Sequence, residues 1–120
     1  MGYYNDVAIG MSKTDGVKFL SDYAMEVSNS GLLQKRFELM QYPECLVFFW
    51  KDVKWSVYDE EACWVQSFLN KLNDEGKPVA FIRVGEDMTD NEEWFCNDDD
   101  EILCNCFNLN RSISFAPTNA

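Results

Sequence analysis

An α+β fold, with two main helices on one face of a mostly antiparallel sheet, is predicted by three observations. Apolar residues alternate or run together at strand length in YYNDVAIG (3–10), ECLVFFW (44–50) and PVAFIRVG (78–85). Two intervening segments, 13–28 and 59–72, carry apolar residues at helical spacing instead. The resulting order is β-α-β-β-α-β followed by further strands, which a two-layer sandwich satisfies. The segment between the first helix and the second strand is left unassigned, and a ferredoxin-like arrangement is an alternative that the additional C-terminal strands strain. At 120 residues the chain suits one domain, 1–120, with no internal repeat or linker.

The first strand, 3–10, leads to Ser12, an N-cap with Asp15 three positions on, in the pattern of a capping box. Val17, Leu20, Ala24 and Val27 follow at helical spacing, with Phe19 and Tyr23 flanking, and Asn29-Ser30-Gly31 is a stop. LLQKRFELMQY (32–42) fits a helical turn or the beginning of a long strand, and Tyr42-Pro43 interrupts it. ECLVFFW has the near-continuous apolar character of a central strand. KDVKWSVY then alternates, with Val53, Trp55 and Val57 on one face, either as a hairpin partner or as the same strand continued past a bulge.

Asp59-Glu60-Glu61 opens the second helix, where acids complement the helix dipole. Its buried stripe is Ala62, Val65, Phe68, Leu69 and Leu72, and Asn73-Asp74-Glu75-Gly76 ends it before Pro78. PVAFIRVG is the clearest strand. ILCNCFNLN (102–110) alternates as a further strand, SISF (112–115) reads as a last edge strand, and 116–120 as a frayed tail.

Charge narrows the function. Ten Lys and Arg oppose 21 Asp and Glu, giving a net charge of −11, and His is absent. That excludes Ser-His-Asp and Cys-His catalysis and His-ligated metals. It disfavours direct binding to nucleic acid or anionic membranes, whose phosphates attract Lys and Arg. Apolar residues make up 47% and aromatics 15%, which separates the chain from disordered acidic tails. No apolar run reaches membrane-span length, and MGYYNDVAIGMSK lacks the features of a secretory signal. Asp6 stands where a myristoylation pattern needs Ser or Thr.

Five cysteines, an odd number without an export signal, point to a reducing cytosol and to buried, inert thiols. Cys96, Cys104 and Cys106, with Cys45 or Cys63, match no zinc spacing. Asp98, Asp99, Asp100 and Glu101 offer oxygens to Ca²⁺, but lack the alternation and central Gly of a calcium loop. Gly85 is followed by Glu86 and Asp87, which repel phosphate, so no nucleotide loop is expected. Neither a metal nor a cofactor is predicted.

The charge is concentrated. Residues 1–85 balance to −3, whereas EDMTDNEEWFCNDDDE (86–101) holds nine acids and no base. Such a block is a solvated loop or an interaction segment. Trp94 and Phe95 inside it favour the second reading. Trp50 and Trp55 read as core, Trp64 as the edge of a helix stripe, and Trp94 as an exposed anchor. Fully extended, sixteen residues span about 53 Å, so nine acids give one charge per about 6 Å. That is sparser than the roughly 3.4 Å of a single nucleic-acid strand. Close mimicry of DNA would need the block to fold, or help from Asp59, Glu60, Glu61, Asp74 and Glu75.

Three segments, LVFFWKDVKW (46–55), EACWVQSFLNKL (61–72) and AFIRVGEDMTDNEE (80–93), carry a resemblance. Together they resemble small acidic proteins of bacteriophages and prophages, in which a VKW strand, a helix and an FIR-x-GED strand recur. The resemblance spans roughly the central half of the chain and brings no activity or site residues with it. It implies a mobile genetic element acting in the bacterial cytoplasm.

The sequence therefore predicts a non-enzymatic acidic protein. It would be a phage or mobile-element inhibitor docking on a basic, nucleic-acid-binding surface of a host or defence protein, as anti-CRISPR and anti-restriction proteins do. Glu86, Asp87, Asp90, Glu92, Glu93, Asp98, Asp99, Asp100 and Glu101 would supply the docking field, and Trp94 an apolar anchor. The alternatives are an immunity protein that neutralises a basic nuclease toxin, or a virion structural or assembly protein.

Overall fold

Ten elements follow one another in the computed structural model, which describes residues 4–30, 36–85, 90–110 and 112–118. They are β1 (Tyr4–Ser12), α1 (Lys13–Ser30), β2 (Glu38–Gln41), β3 (Cys45–Lys54), α2 (Glu60–Asp74), β4 (Val79–Val84), β5 (Asn91–Cys96), α3 (Ile102–Cys106), β6 (Phe107–Asn110) and β7 (Ser112–Phe115). β1 to β5 form one sheet in the order β2-β3-β1-β4-β5, and every neighbouring pair is antiparallel. The fold is mixed α+β.

The strand order places β1 between β3 and β4, so β3 and β4 run parallel to one another and need a crossover, which α2 provides. This is the split β-α-β arrangement of ferredoxin-like sheets. The expected strain does not arise. β5 continues the sheet beside β4, and β6 and β7 leave it to pair only with each other.

α1 begins as the sequence predicts. Ser12 Oγ accepts from the Asp15 amide at 3.2 Å and donates to Asp15 Oδ2 at 3.0 Å. Its buried face, however, is not the predicted stripe. Val17, Ala24 and Val27 are exposed and Leu20 is half-buried, whereas Phe19 and Tyr23 face the sheet. Both faces have helical spacing, and the one with two aromatic rings buries more apolar surface. Phe19 packs against Phe48 with its ring tilted and centroids 4.7 Å apart, and Gly16 brings the helix close to Leu46. The segment 31–35, including Gly31 of the predicted stop, lies outside the described residues. Of the ambiguous 32–42, residues 38–41 form a strand.

β3 is an interior strand, as expected, and continues past a bulge to Lys54. The register moves from Val7↔Trp50 to Asn5↔Val53. Asp52 at the bulge has φ 52°, and its amide donates to Asp6 Oδ1 at 3.1 Å. Trp55 is buried, but Val57 lies beyond the strand and is 80% exposed, against the predicted alternation. α2 follows its predicted stripe, with Ala62, Val65, Leu69 and Leu72 buried and Phe68 half-buried. Asp59 caps it through the Ala62 amide at 2.9 Å, and Gly76, at φ 74°, ends it.

The core has two parts, one on each face of the sheet. Val7, Ile9, Met11, Phe48, Trp50 and Phe81 point toward α1 and α2. Ala8, Val47, Ala80 and Ile82 point the other way, toward Leu103 and Phe107. Residues 102–106 are helical where the sequence predicted strand, because the Asp98 carboxylate accepts from the amides of Leu103 and Cys104. SISF is a strand, paired with β6 alone. Ala116, the first residue of the stretch read as a frayed tail, donates its amide to Cys106 O at 2.7 Å and accepts at its carbonyl from Tyr42 Oη at 2.8 Å.

Candidate functional site

The acidic stretch is ordinary folded chain over much of its length. Glu86 and Asp87 lie outside the described residues. From Asn91 the chain forms β5, whose register with β4 sets Glu92 opposite Arg83 and Trp94 opposite Phe81. Alternation sends Trp94 to the α1–α2 side and Phe95 to the α3 side. The Trp94 ring stacks on Phe81 at 5.5 Å, and Phe95 lies 5.9 Å from Phe107. Trp94 is thus half-buried against the core and not the exposed anchor expected of it.

Four of the acids make internal contacts. Arg83 grips Asp90 with two parallel bonds of 2.9 and 3.2 Å and reaches Glu92 at 3.4 Å. The fork geometry suits a carboxylate. Its hydrogen bonds hold the Asp90 carboxyl below the usual carboxylate range. Asp90 and Glu92 are about half exposed, so each ion pair contributes less than about 1 kcal/mol. Glu93 accepts from the Leu109 amide at 3.0 Å and links β5 to β6. Asp98 caps α3 at 2.9 and 3.0 Å.

Asp99, Asp100 and Glu101 remain. All three are exposed, on a turn closed by the Glu101 amide donating to Asp98 O at 2.9 Å. Their carboxylates contact no cation among the described residues. Asn97 anchors the base of the turn, donating to Asn73 Oδ1 and Lys77 O. Beside the turn, Glu44 and Asp98 to Asp100 border a pocket of about 130 Å³ floored by Cys45 and Leu103. Among the described residues, no group of three His, Cys, Asp or Glu side chains is placed to hold a metal ion.

The sequence reading missed a second feature. After β3 the chain turns at residues 56–58, leaving Tyr58 91% and Val57 80% exposed. The turn is tied by the Tyr58 amide to Ser56 Oγ at 3.2 Å and by the Cys63 thiol to Val57 O at 3.2 Å. It borders a groove whose other walls include Gln66 of α2, Arg83 and Glu92. Ser56 and Val57 of the turn therefore share a groove with Glu92 of β5. Its sequence signal was present: Val57-Tyr58 directly precedes the N-cap Asp59, so it cannot also extend the strand.

Of the acids named as helpers, Glu60, Asp74 and Glu75 are exposed and Asp59 is half-buried. Glu61 is 1% exposed and offers no surface charge. It accepts from Tyr23 Oη at 2.9 Å and Trp50 Nε1 at 3.1 Å. The cysteines are also less uniform than expected. Cys45 is buried, Cys63 exposed, and the other three half-buried.

The fold and this surface define an acidic α+β domain with ferredoxin-like strand order, a free carboxylate turn and a separate exposed aromatic tip. No protein-family model, curated protein or solved structure matches the chain. No helix among the described residues is long and apolar enough to cross a membrane.

Proposed function

We propose that the protein is a non-enzymatic acidic binding protein. It acts as a phage or mobile-element inhibitor in the bacterial cytoplasm, docking on a basic, nucleic-acid-binding surface of a host or defence protein in the manner of anti-CRISPR and anti-restriction proteins. One observation carries this reading: Asp99, Asp100 and Glu101 stand together on an exposed, anchored turn, while their neighbours Asp90, Glu92, Glu93 and Asp98 bond within the fold. An anchored turn holds like charges in place before the partner arrives. Such charge accelerates encounter with a cationic surface. Tyr58, next to Asp59 and Glu60, stands beyond the other end of β3 from this turn, so it is a separate exposed aromatic and does not take the role first assigned to Trp94 in the same contact.

Exposed Tyr58 among carboxylates also supports the second reading, an immunity protein against a basic nuclease toxin. The two differ in the partner, and one experiment addresses both. Full-length protein is used to capture partners from bacterial lysate at low salt and at roughly 0.5 M salt, where screening shortens to a few ångströms. A basic nucleic-acid-binding partner retained at low salt and released at high salt supports the inhibitor. A toxin nuclease supports the immunity protein. The Asp99→Lys/Asp100→Lys variant should lose that capture, and full capture by it would remove the turn from the mechanism.

A further inference from the structure

We propose that Cys45 and Cys106 are a disulfide-forming pair, oxidised by peroxide, and that their bond fastens the unit of α3, β6 and β7 to the sheet. The two sulfurs lie 3.1 Å apart although 61 positions separate them in the chain. A disulfide is about 2.05 Å long, so closing the bond takes a movement of about 1 Å.

The surrounding backbone fixes this approach. Cys45 opens β3 and Cys106 closes α3. The Tyr42 amide donates to Cys45 O at 3.0 Å, and the Tyr42 hydroxyl donates to Ala116 O at 2.8 Å. The Ala116 amide in turn donates to Cys106 O at 2.7 Å. Tyr42 and Ala116 thus tie the main chains of both cysteines into one hydrogen-bonded circuit. The circuit holds together the two main-chain positions from which the thiols meet.

The two cysteines have different exposure and hence different roles. Cys106 is half-buried and reaches solvent, whereas Cys45 is fully buried. Burial also pushes the Cys45 thiol up, so it stays protonated while its neighbour reacts. Hydrogen peroxide transfers one oxygen to the Cys106 sulfur, giving a sulfenic acid and one water. The Cys45 sulfur then attacks the Cys106 sulfur. The S–S bond forms, the S–O bond breaks, and the departing hydroxide leaves as a second water with the Cys45 proton. Two thiols are oxidised by two electrons and one peroxide is reduced.

The bond would close a long loop of the unfolded chain and pin the elements that cover the second face of the sheet. The test treats the reduced full-length protein with a small excess of hydrogen peroxide, followed by thiol alkylation, peptide mapping without reductant, and thermal melting. The expected result is a fall from five alkylatable thiols to three, and one linked peptide pair containing Cys45 and Cys106. A reductant should reverse both. The oxidised form should melt roughly 5–10 °C higher. The Cys106→Ser variant should give no linked peptide and no rise, while Cys63→Ser should retain both. Stable oxygen addition to Cys106 without a bond, a link between other cysteines, or a linked form with an unchanged melting point would each overturn the proposal. Mapping of the wild-type chain decides the linkage even if Cys106→Ser fails to fold.

Discussion

Glu61 and Trp50 meet in the interior, where the Glu61 carboxylate accepts the indole N–H at 3.1 Å. Tyr23 Oη donates to the same oxygen at 2.9 Å. A carboxylate in the first turn of α2 thereby joins α1, α2 and β3 at one point. Burying it costs less because two donors face it.

Replacing Glu61 tests that dependence. Glu61→Leu keeps the volume roughly and removes the carboxylate acceptor of both the Trp50 N–H and the Tyr23 hydroxyl. A hydrogen bond to a charged group contributes about 1.5–3 kcal/mol, so losing these two should lower the unfolding free energy by about 3 kcal/mol. Glu61→Gln retains an acceptor oxygen and should lose about 1 kcal/mol. Urea unfolding of the two variants measures the difference, and equal losses would mean that the hydrogen bonds do not govern the site.

Two buried groups, one on each face of the sheet, make stability fall at alkaline pH. Burial, then the hydrogen bond to Glu61, raises the Tyr23 hydroxyl above its ordinary 10.0. Burial, then the neighbouring Cys106, raises the Cys45 thiol above 9.0. The unfolded chain releases these protons at their ordinary values while the fold retains them. The unfolded state then binds fewer protons, and stability falls as pH rises. The contribution of both groups is fully present below about pH 8.5 and declines above it. Urea midpoints measured from pH 7 to pH 11 should drop above pH 9, and Tyr23→Phe should drop less between pH 10 and 11. A flat wild-type profile to pH 11 would count against the assignment.

Asp98 and its neighbours are separable by substitution. Asp98→Ala removes the acceptor for the Leu103 and Cys104 amides and should cost about 1 kcal/mol, as loss of a helix cap does. Asp99→Lys/Asp100→Lys touches no internal hydrogen bond and should change stability by less than about 0.5 kcal/mol. Thermal melts of both variants check this. The contrast matters for binding, because reversing Asp98 together with the other two would confuse a lost cap with a lost docking charge.

What the sequence revealed was local. The Ser12–Asp15 capping box, the Asp59 cap, the stripe of α2 and the strand 79–84 each depend on residues a few positions apart, and each is present. The misreadings share a different cause. The face of α1 was chosen by Phe48 on a distant strand, which selects Phe19 over Val17 and Val27. Glu61 has the pattern of a dipole-complementing acid, and only Tyr23, 38 positions away, makes it a buried acceptor. Sequence located the acidic stretch, but charge density alone could not distinguish Asp90, held by Arg83, from the free Asp99. Trp94 went inward because the register of β5 set it opposite Phe81.

Gly10 is a position where the C-terminal unit packs tightly onto the sheet. It lies in β1, the middle strand, and a Cβ there would sit 2.5 Å from Cε1 and 3.0 Å from Cζ of Phe107. Phe107 is fully buried, stacks on Phe115 and packs at a tilt against Phe95, so its ring has little room to give. A glycine inside a strand often marks such an approach. Gly10→Ala should therefore destabilise the protein by about 1–3 kcal/mol, the range for overpacking a filled core. The damage should begin in the C-terminal unit, because Phe107 is the buried residue that joins β6 to the sheet. Hydrogen exchange should then show faster exchange of the amides of β6 and β7, with the amides of β1 and β3 still protected. Pairing Gly10→Ala with Phe107→Leu removes the clashing ring edge and should recover part of the loss. A Gly10→Ala variant with unchanged stability and exchange would refute the close contact.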